Sequence, residues 1–194
     1  MKKPLVTIAS NNPVKVEEIE AMLGPLPITV NRQPSHLKVE ETGSTYLENA
    51  MIKGRNAAIA TKQWTIADDS GLEVDELNGA PGIYSARFDK NNQKKLEKIL
   101  SLLDGNLYRS ARFHSVMVLC NPEGEKVAHG EGICWGEILN KPAYKGGEFE
   151  SILWVREAKC TYGEMSFEQL IKLGSRGKAA RAIAPFLLEA FNFK

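Results

Sequence analysis

Asp68-Asp69-Ser70-Gly71, two adjacent carboxylates followed by a hydroxyl and a glycine, are the residues of this chain best suited to chemistry. They follow the apolar run Trp64-Thr65-Ile66-Ala67 and precede Leu72. The pattern reads as a short strand that stops at a turn. Both carboxylates then sit at the strand end, where a rigid element meets a loop open to ligands. Neighbouring carboxylates repel when both ionise, and a divalent cation relieves that repulsion. An oxygen-only ligand set suits Mg2+ or Mn2+ better than zinc. An Asp-Ser-Gly turn closed by an Asx hydrogen bond accounts for the same four residues without any ligand. The rest of the chain has to decide between the two readings.

The elements that would position such a site can be read in order. Leu5-Val6-Thr7-Ile8-Ala9 reads as a first strand, and Ser10-Asn11-Asn12-Pro13-Val14-Lys15 as a polar turn into a helix. Asn12 suits the N-cap and Pro13 the first helical position, while Gly24-Pro25 stops the helix. Free N–H groups and the helix dipole make such a turn a natural phosphate site, with Lys15 placed to add a point charge. A capped helix with a solvated lysine fits the same residues. No G-x-x-x-x-G-K-[ST] loop occurs. Val39-Glu40-Glu41-Thr42-Gly43 brings a second carboxylate pair. Thr45 and Glu48 fit a capping box before a helix that carries Lys53 and Arg55. Such residues are usually solvated, but one of the two can face a phosphate, and Lys53 is taken as the substrate-binding candidate.

Farther on, Gly79 to Arg87 is turn-rich, and Asn91 to Leu103 is an amphipathic helix. Ala111–Cys120 and Lys126–Cys134 read as a hairpin around Asn121-Pro122-Glu123-Gly124. Gly136-Glu137-Ile138-Leu139 suggests a further short strand. A helix capped by Ser166 and a last helix from about Lys178 to Phe191, interrupted or begun at Pro185, close the chain. Alternating strands and helices followed by a hairpin predict an α/β fold spanning 1–194, with two lobes around a central cleft.

Composition bounds the partners. The chain has 194 residues, 43% hydrophobic and 25% charged, with a net charge of +1, so neither nucleic acid nor a membrane surface is an expected partner. Cys120, Cys134 and Cys160 are widely spaced with no C-x-x-C pair, which fits a reducing compartment and a cytoplasmic protein. The run after Met1-Lys2-Lys3-Pro4 is too short for a secretory leader.

The ordered series of motifs resembles the RdgB-type inosine/xanthosine triphosphate pyrophosphatases. Ser10-Asn11-Asn12-Pro13-Val14-Lys15 matches that family's T/S-G-N-x-x-K loop, with Asn11 where glycine is usual. Glu40-Glu41-Thr42-Gly43, Glu48-Asn49-Ala50 with Lys53, Ala67 to Leu72, Gly79 to Arg87 and Ala111-Arg112-Phe113 match at similar spacing. The resemblance implies an elongated α/β fold, a homodimer, and hydrolysis of a nucleoside triphosphate to the monophosphate and pyrophosphate with Mg2+ (or Mn2+). It implies Glu40 and Asp69 as metal ligands, Asp69 also as the base for water, and Ser10, Asn11, Asn12, Lys15 and Ser70 as phosphate contacts.

The base-recognition region departs from the family. Where the family has G-F-G-Y-D-P-x-F, this chain has Gly147-Glu148-Phe149-Glu150-Ser151-Ile152-Leu153-Trp154. Glu148 stands for the stacking aromatic and Ser151 for the aspartate, and Phe149 takes over the stacking if the loop shifts by one residue. The family's E-E-K lysine falls at Leu170, with Lys172 nearby, and S-H-R becomes Gly174-Ser175-Arg176, which keeps only the arginine. Three functional readings stand: inosine- and xanthosine-type substrates in a rebuilt pocket, a changed or broader base range, or a non-catalytic nucleotide-binding relative.

Overall fold

A computed structural model describes residues 3–193; Met1 and Lys2, where the leader reading begins, and Lys194 lie outside the described residues. β1 (Leu5–Ile8) feeds α1 (Pro13–Leu23) as the sequence predicts. Asn12 caps that helix, its side chain accepting from Val14 N and Lys15 N. β2 (Thr29–Arg32), α2 (Tyr46–Thr61) and β3 (Trp64–Val74) follow. Then come α3 (Asn92–Leu102), β4 (Ser110–Cys120), β5 (Lys126–Ile138), β6 (Leu153–Val155), β7 (Cys160–Thr161), α4 (Phe167–Leu173) and α5 (Ser175–Ala190). The sheet order is β2-β1-β3-β4-β5-β6-β7. β1 is parallel to β2 and β3, whereas β6 is antiparallel to β5 and β7. This mixed sheet with helices is the α/β class expected.

The described chain divides into two compact units. The first comprises the described residues up to Asp69, Ser115–Gly132, and the described residues from Arg176 onward. Strand alternation organises it. Val6, Ile8 and Ile66 pack with Val16, Ile19 and Leu23 of α1 and with Ala179, Ile183 and Leu187 of α5. Ala9, Ala67, Val118 and Cys120 pack with Ala50, Ala57 and Ala58 of α2. Small residues bring α2 close to its strands: a Cβ on Gly54 would lie 2.9 Å from Cys120 Sγ and 3.1 Å from Val118 Cγ2. The second unit comprises Ser70–His114 and Ile133–Ser175. Its core gathers Leu72, Val74, Leu96, Ile99, Leu103, Ile138 and Leu153.

Three sequence expectations need correction. The Asp-Asp-Ser-Gly segment is not a turn: β3 runs unbroken through it to Val74. Leu72 and Val74 are buried at period two, and that pattern carries the strand past Gly71. Gly136–Leu139 is not a separate strand, because β5 extends to Ile138. The last helix begins at Ser175 rather than near Lys178, with Pro185 inside it, so Arg176 lies in its first turn. Among the described residues, no helix is long and apolar enough to cross a membrane.

Candidate active site

Because β3 is extended through Asp68 and Asp69, the two side chains leave the strand on opposite faces. They do not converge. Asp68 shares the parity of Ile66, on the side of α1 and α5. Its side chain is 0% exposed, and its Oδ2 lies 3.0 Å from Lys15 Nζ and 3.4 Å from Arg176 Nε. Arg176 also pairs with Glu18 of α1. Burial pushes the Asp68 carboxyl up, but Lys15, Arg176 and Lys53 outweigh burial and hold it well below the ordinary carboxylate range. Asp68 is therefore an ionised counter-ion shared by two helices.

Asp69 shares the parity of Ala67, on the side of α2. Lys53 of that helix donates to Asp69 Oδ1 at 3.1 Å and to Glu41 Oε1 at 2.7 Å. Asp69 Oδ2 is buried and has no hydrogen-bond partner among the described residues. Burial raises the Asp69 carboxyl above its ordinary value. Lys53 opposes the shift, and the neighbouring Glu41 adds to it. For Lys53, burial acts downward, yet Asp69 and Glu41 prevail and keep the ammonium above its usual range. Two carboxylates around one ammonium, with one carboxylate oxygen unmatched, can take a proton from a water or a share of a cation.

The other predicted residues distribute as follows. Ser10 Oγ accepts from Asn12 N at 3.2 Å, Asn12 Oδ1 closes the helix cap, and Asn11 Nδ2 donates to Leu37 O at 3.0 Å. These three and Lys15 form the turn entering α1. Ser70 lies on β3 beside Asp69, half-buried. Glu40 is exposed, and the structure brings Glu41 to Lys53 in its place. Phe149 is a further correction. It is 4% exposed and sits in the second unit's core, its ring centroid 6.3 Å from that of Phe88, so its faces are spent on packing. Glu148 beside it accepts from Asn92 Nδ2 at 2.7 Å and lies 3.7 Å from Lys95 Nζ.

A divalent cation fits the Asp69 side. The donors are carboxylate oxygens, one of them buried and unmatched. Among the described residues, no three His, Cys, Asp or Glu side chains converge as a closed cage. Mg2+ is commonly held in this way, by one or two carboxylates completed by substrate phosphates and water. The sequence reading pairs Asp68 with Asp69 and Glu41 with Glu40 but assigns neither Asp68 nor Glu41 a separate role, and it does not single out Glu18. Period-two burial beyond Gly71 was the signal for separating the two aspartates. Glu18 pairs with Arg176, 158 residues away in the chain, and no local spacing signals that contact.

Comparison with known proteins adds an independent line. The Ham1 family profile matches residues 6–186. A dITP/XTP pyrophosphatase from Synechocystis sp. is 41% identical over 177 residues, covering 91% of each chain. A HAM1 protein structure from Coxiella burnetii superposes with a TM-score of 0.85 at 34% identity, covering 96% of this chain and 99% of that one. The Ham1 protein of Staphylococcus aureus gives 0.82 at 34% identity, with the same coverage.

Proposed function

The chain belongs to the Ham1 family, and from that premise we propose that it hydrolyses purine nucleoside triphosphates outside the standard four, such as dITP, ITP and XTP, to the monophosphate and pyrophosphate. The observation that carries the reading is Asp69: a buried carboxylate anchored through one oxygen on Lys53, with the other oxygen uncommitted and its affinity for a proton raised. A base needs that combination of fixed position and proton affinity. Asp69 Oδ2 orients a water and accepts its proton as the water attacks the α-phosphorus. Lys53 holds Asp69 from the far oxygen. Lys15, Arg176 and the positive end of the α1 dipole bind the polyphosphate and stabilise the departing pyrophosphate, with Ser10, Asn11, Asn12 and Ser70 as further contacts. Asp69 and Glu41 would hold Mg2+ (or Mn2+), with Glu41 taking the part that the sequence resemblance gave to Glu40. When bound, the ion polarises the phosphate and lowers the pKa of water. A homodimer belongs to the same proposal and is checked by light scattering.

A panel assay for released pyrophosphate tests the reading, with dITP, ITP, XTP and the standard ribo- and deoxynucleotides in Mg2+. Preferential cleavage of dITP, ITP and XTP with pyrophosphate as product supports it. Orthophosphate as product, or activity that survives Asp69→Asn, overturns it. The packing of Phe149 into the core and the tie of Glu148 to α3 favour a second reading, a broader base range, because neither residue of the aligned stacking position offers an aromatic face. Comparable rates across the panel would select that reading.

A further inference from the structure

The proposed site needs Glu41 to stay against Lys53, yet Glu41 lies in a loop of irregular structure between β2 and α2. Two side chains of the first turns of α2 hold that loop. Glu48 accepts from Ser44 N at 2.6 Å and from Ser44 Oγ at 2.7 Å. Glu48 is exposed, and water competes for both bonds. Asn49 is 0% exposed, and its Oδ1 accepts from Gly43 N at 2.8 Å. The amide orientation follows from this bond: flipping the group would set an NH2 against the Gly43 N–H. Gly43 is packed to the limit, since a Cβ there would lie 2.6 Å from Glu48 Cβ and 2.8 Å from Asn49 Oδ1. Asn49 and Lys53 stand one helical turn apart on one face of α2. The same face thus grips the loop backbone with Asn49 and its carboxylate with Lys53.

We propose that Asn49 is a positioning residue: by accepting the Gly43 N–H from a buried site, it fixes the Glu40–Gly43 loop on α2 and so sets Glu41 beside Lys53 and Asp69. Its effect reaches the reaction only through the loop. It rests on the proposed pyrophosphatase reading for its kinetic consequence and is independent of that reading for its structural one.

The test pairs amide hydrogen exchange at Gly43 with pyrophosphate-release kinetics on dITP. Asn49→Ala is expected to remove protection of the Gly43 amide and to lower kcat by about 10²-fold, the cost of an ångström-scale misplacement, with KM changing little. Asn49→Asp keeps an acceptor for Gly43 and restores the protection. Gly43→Ala displaces the same loop from its other side and is expected to lower kcat similarly. The double variant should be no worse than the weaker single one, because both act on one loop. Should Asn49→Ala fail to fold, the Gly43→Ala and Asn49→Asp results decide. Retained Gly43 protection in Asn49→Ala, an unchanged kcat, no rescue by aspartate, or multiplicative losses in the double variant would each overturn the proposal. A wild-type chain that releases no pyrophosphate overturns the function instead, while the exchange experiment still decides the role of Asn49.

Discussion

On one face of β3, Asp68 meets Lys15 and Arg176, two cations brought by two helices; on the other, Asp69 shares the single ammonium of Lys53 with Glu41. Both carboxylates are buried and adjacent in sequence, yet Asp68 is pushed below its ordinary pKa and Asp69 above it. Desolvation acts the same way on each, so the neighbours decide the sign. A carboxylate held ionised is suited to fastening charged helices. A carboxylate that resists ionisation and shares its one cation with a second carboxylate is suited to taking a proton or a metal. Opposed pKa shifts in neighbouring acids are a recognised sign of divided labour.

The largest effect that follows is on rate. Asp69→Asn keeps the shape and removes the base, so kcat for pyrophosphate release should fall by roughly 10²–10⁴. Lys53 keeps Glu41 as a partner and the strained charge disappears, so thermal unfolding should occur at the same temperature or higher. Activity assay and calorimetry on one preparation check both parts. A variant that is fully active, or that melts well below the parent, would erase the distinction between the two faces.

Asp68→Asn should show the reverse pattern. The amide leaves Lys15 and Arg176 without the carboxylate they share, and breaking a buried pair is costly. Lys15 is 25% exposed and keeps some access to water, and Arg176 keeps Glu18. We therefore expect about 3 kcal/mol of destabilisation, the low end of that range. Chemical denaturation measures it. A loss under about 1 kcal/mol, the scale of a surface pair, would mean that Asp68 does not fasten α1 to α5.

This division was only half legible in the sequence. The turn into α1, the caps at Asn12 and Ser166, and the β4–β5 connection were read correctly, because each depends on local chemistry. The Asp-Asp-Ser-Gly segment was not, because polar residues and a glycine normally mark a turn. Here tertiary partners on both sides satisfy the charges and let the strand continue. The choice of Glu41 over Glu40 depends on which side of an irregular loop faces α2, which no periodicity encodes. The stacking role of Phe149 rests on the family resemblance and a one-residue shift of the loop. Its burial follows from Leu72 and Phe88, distant in sequence, which share its core with the nearby Ile152 and Leu153.

Glu73, a third acid on the same strand, gives the smallest effect and sharpens the contrast. It belongs to the second unit, where Arg112 donates to its Oε2 at 2.6 Å and His114 Nδ1 lies 3.2 Å from its Oε1. The His114 hydrogen bond is the leading cause of its lowered pKa, burial opposes it, and Arg112 adds to the lowering. It thus resembles Asp68 in sign, with partial rather than complete burial. A carboxyl depressed in the folded state contributes stability that is fully present above its unfolded pKa, about 4.3 for glutamate. That stability is lost as the pH falls through the lower folded value. Glu73→Gln should therefore cost about 1.5–3 kcal/mol near neutrality, the range for hydrogen bonds to a charged group. It should also flatten the acid limb of the stability curve below pH ~4.3. Denaturant melts of parent and variant from neutral pH downward read both quantities. If the two curves stay parallel through the acid range, Glu73 titrates as it does in the unfolded chain, and the rule that neighbours set the sign along β3 fails at its third acid.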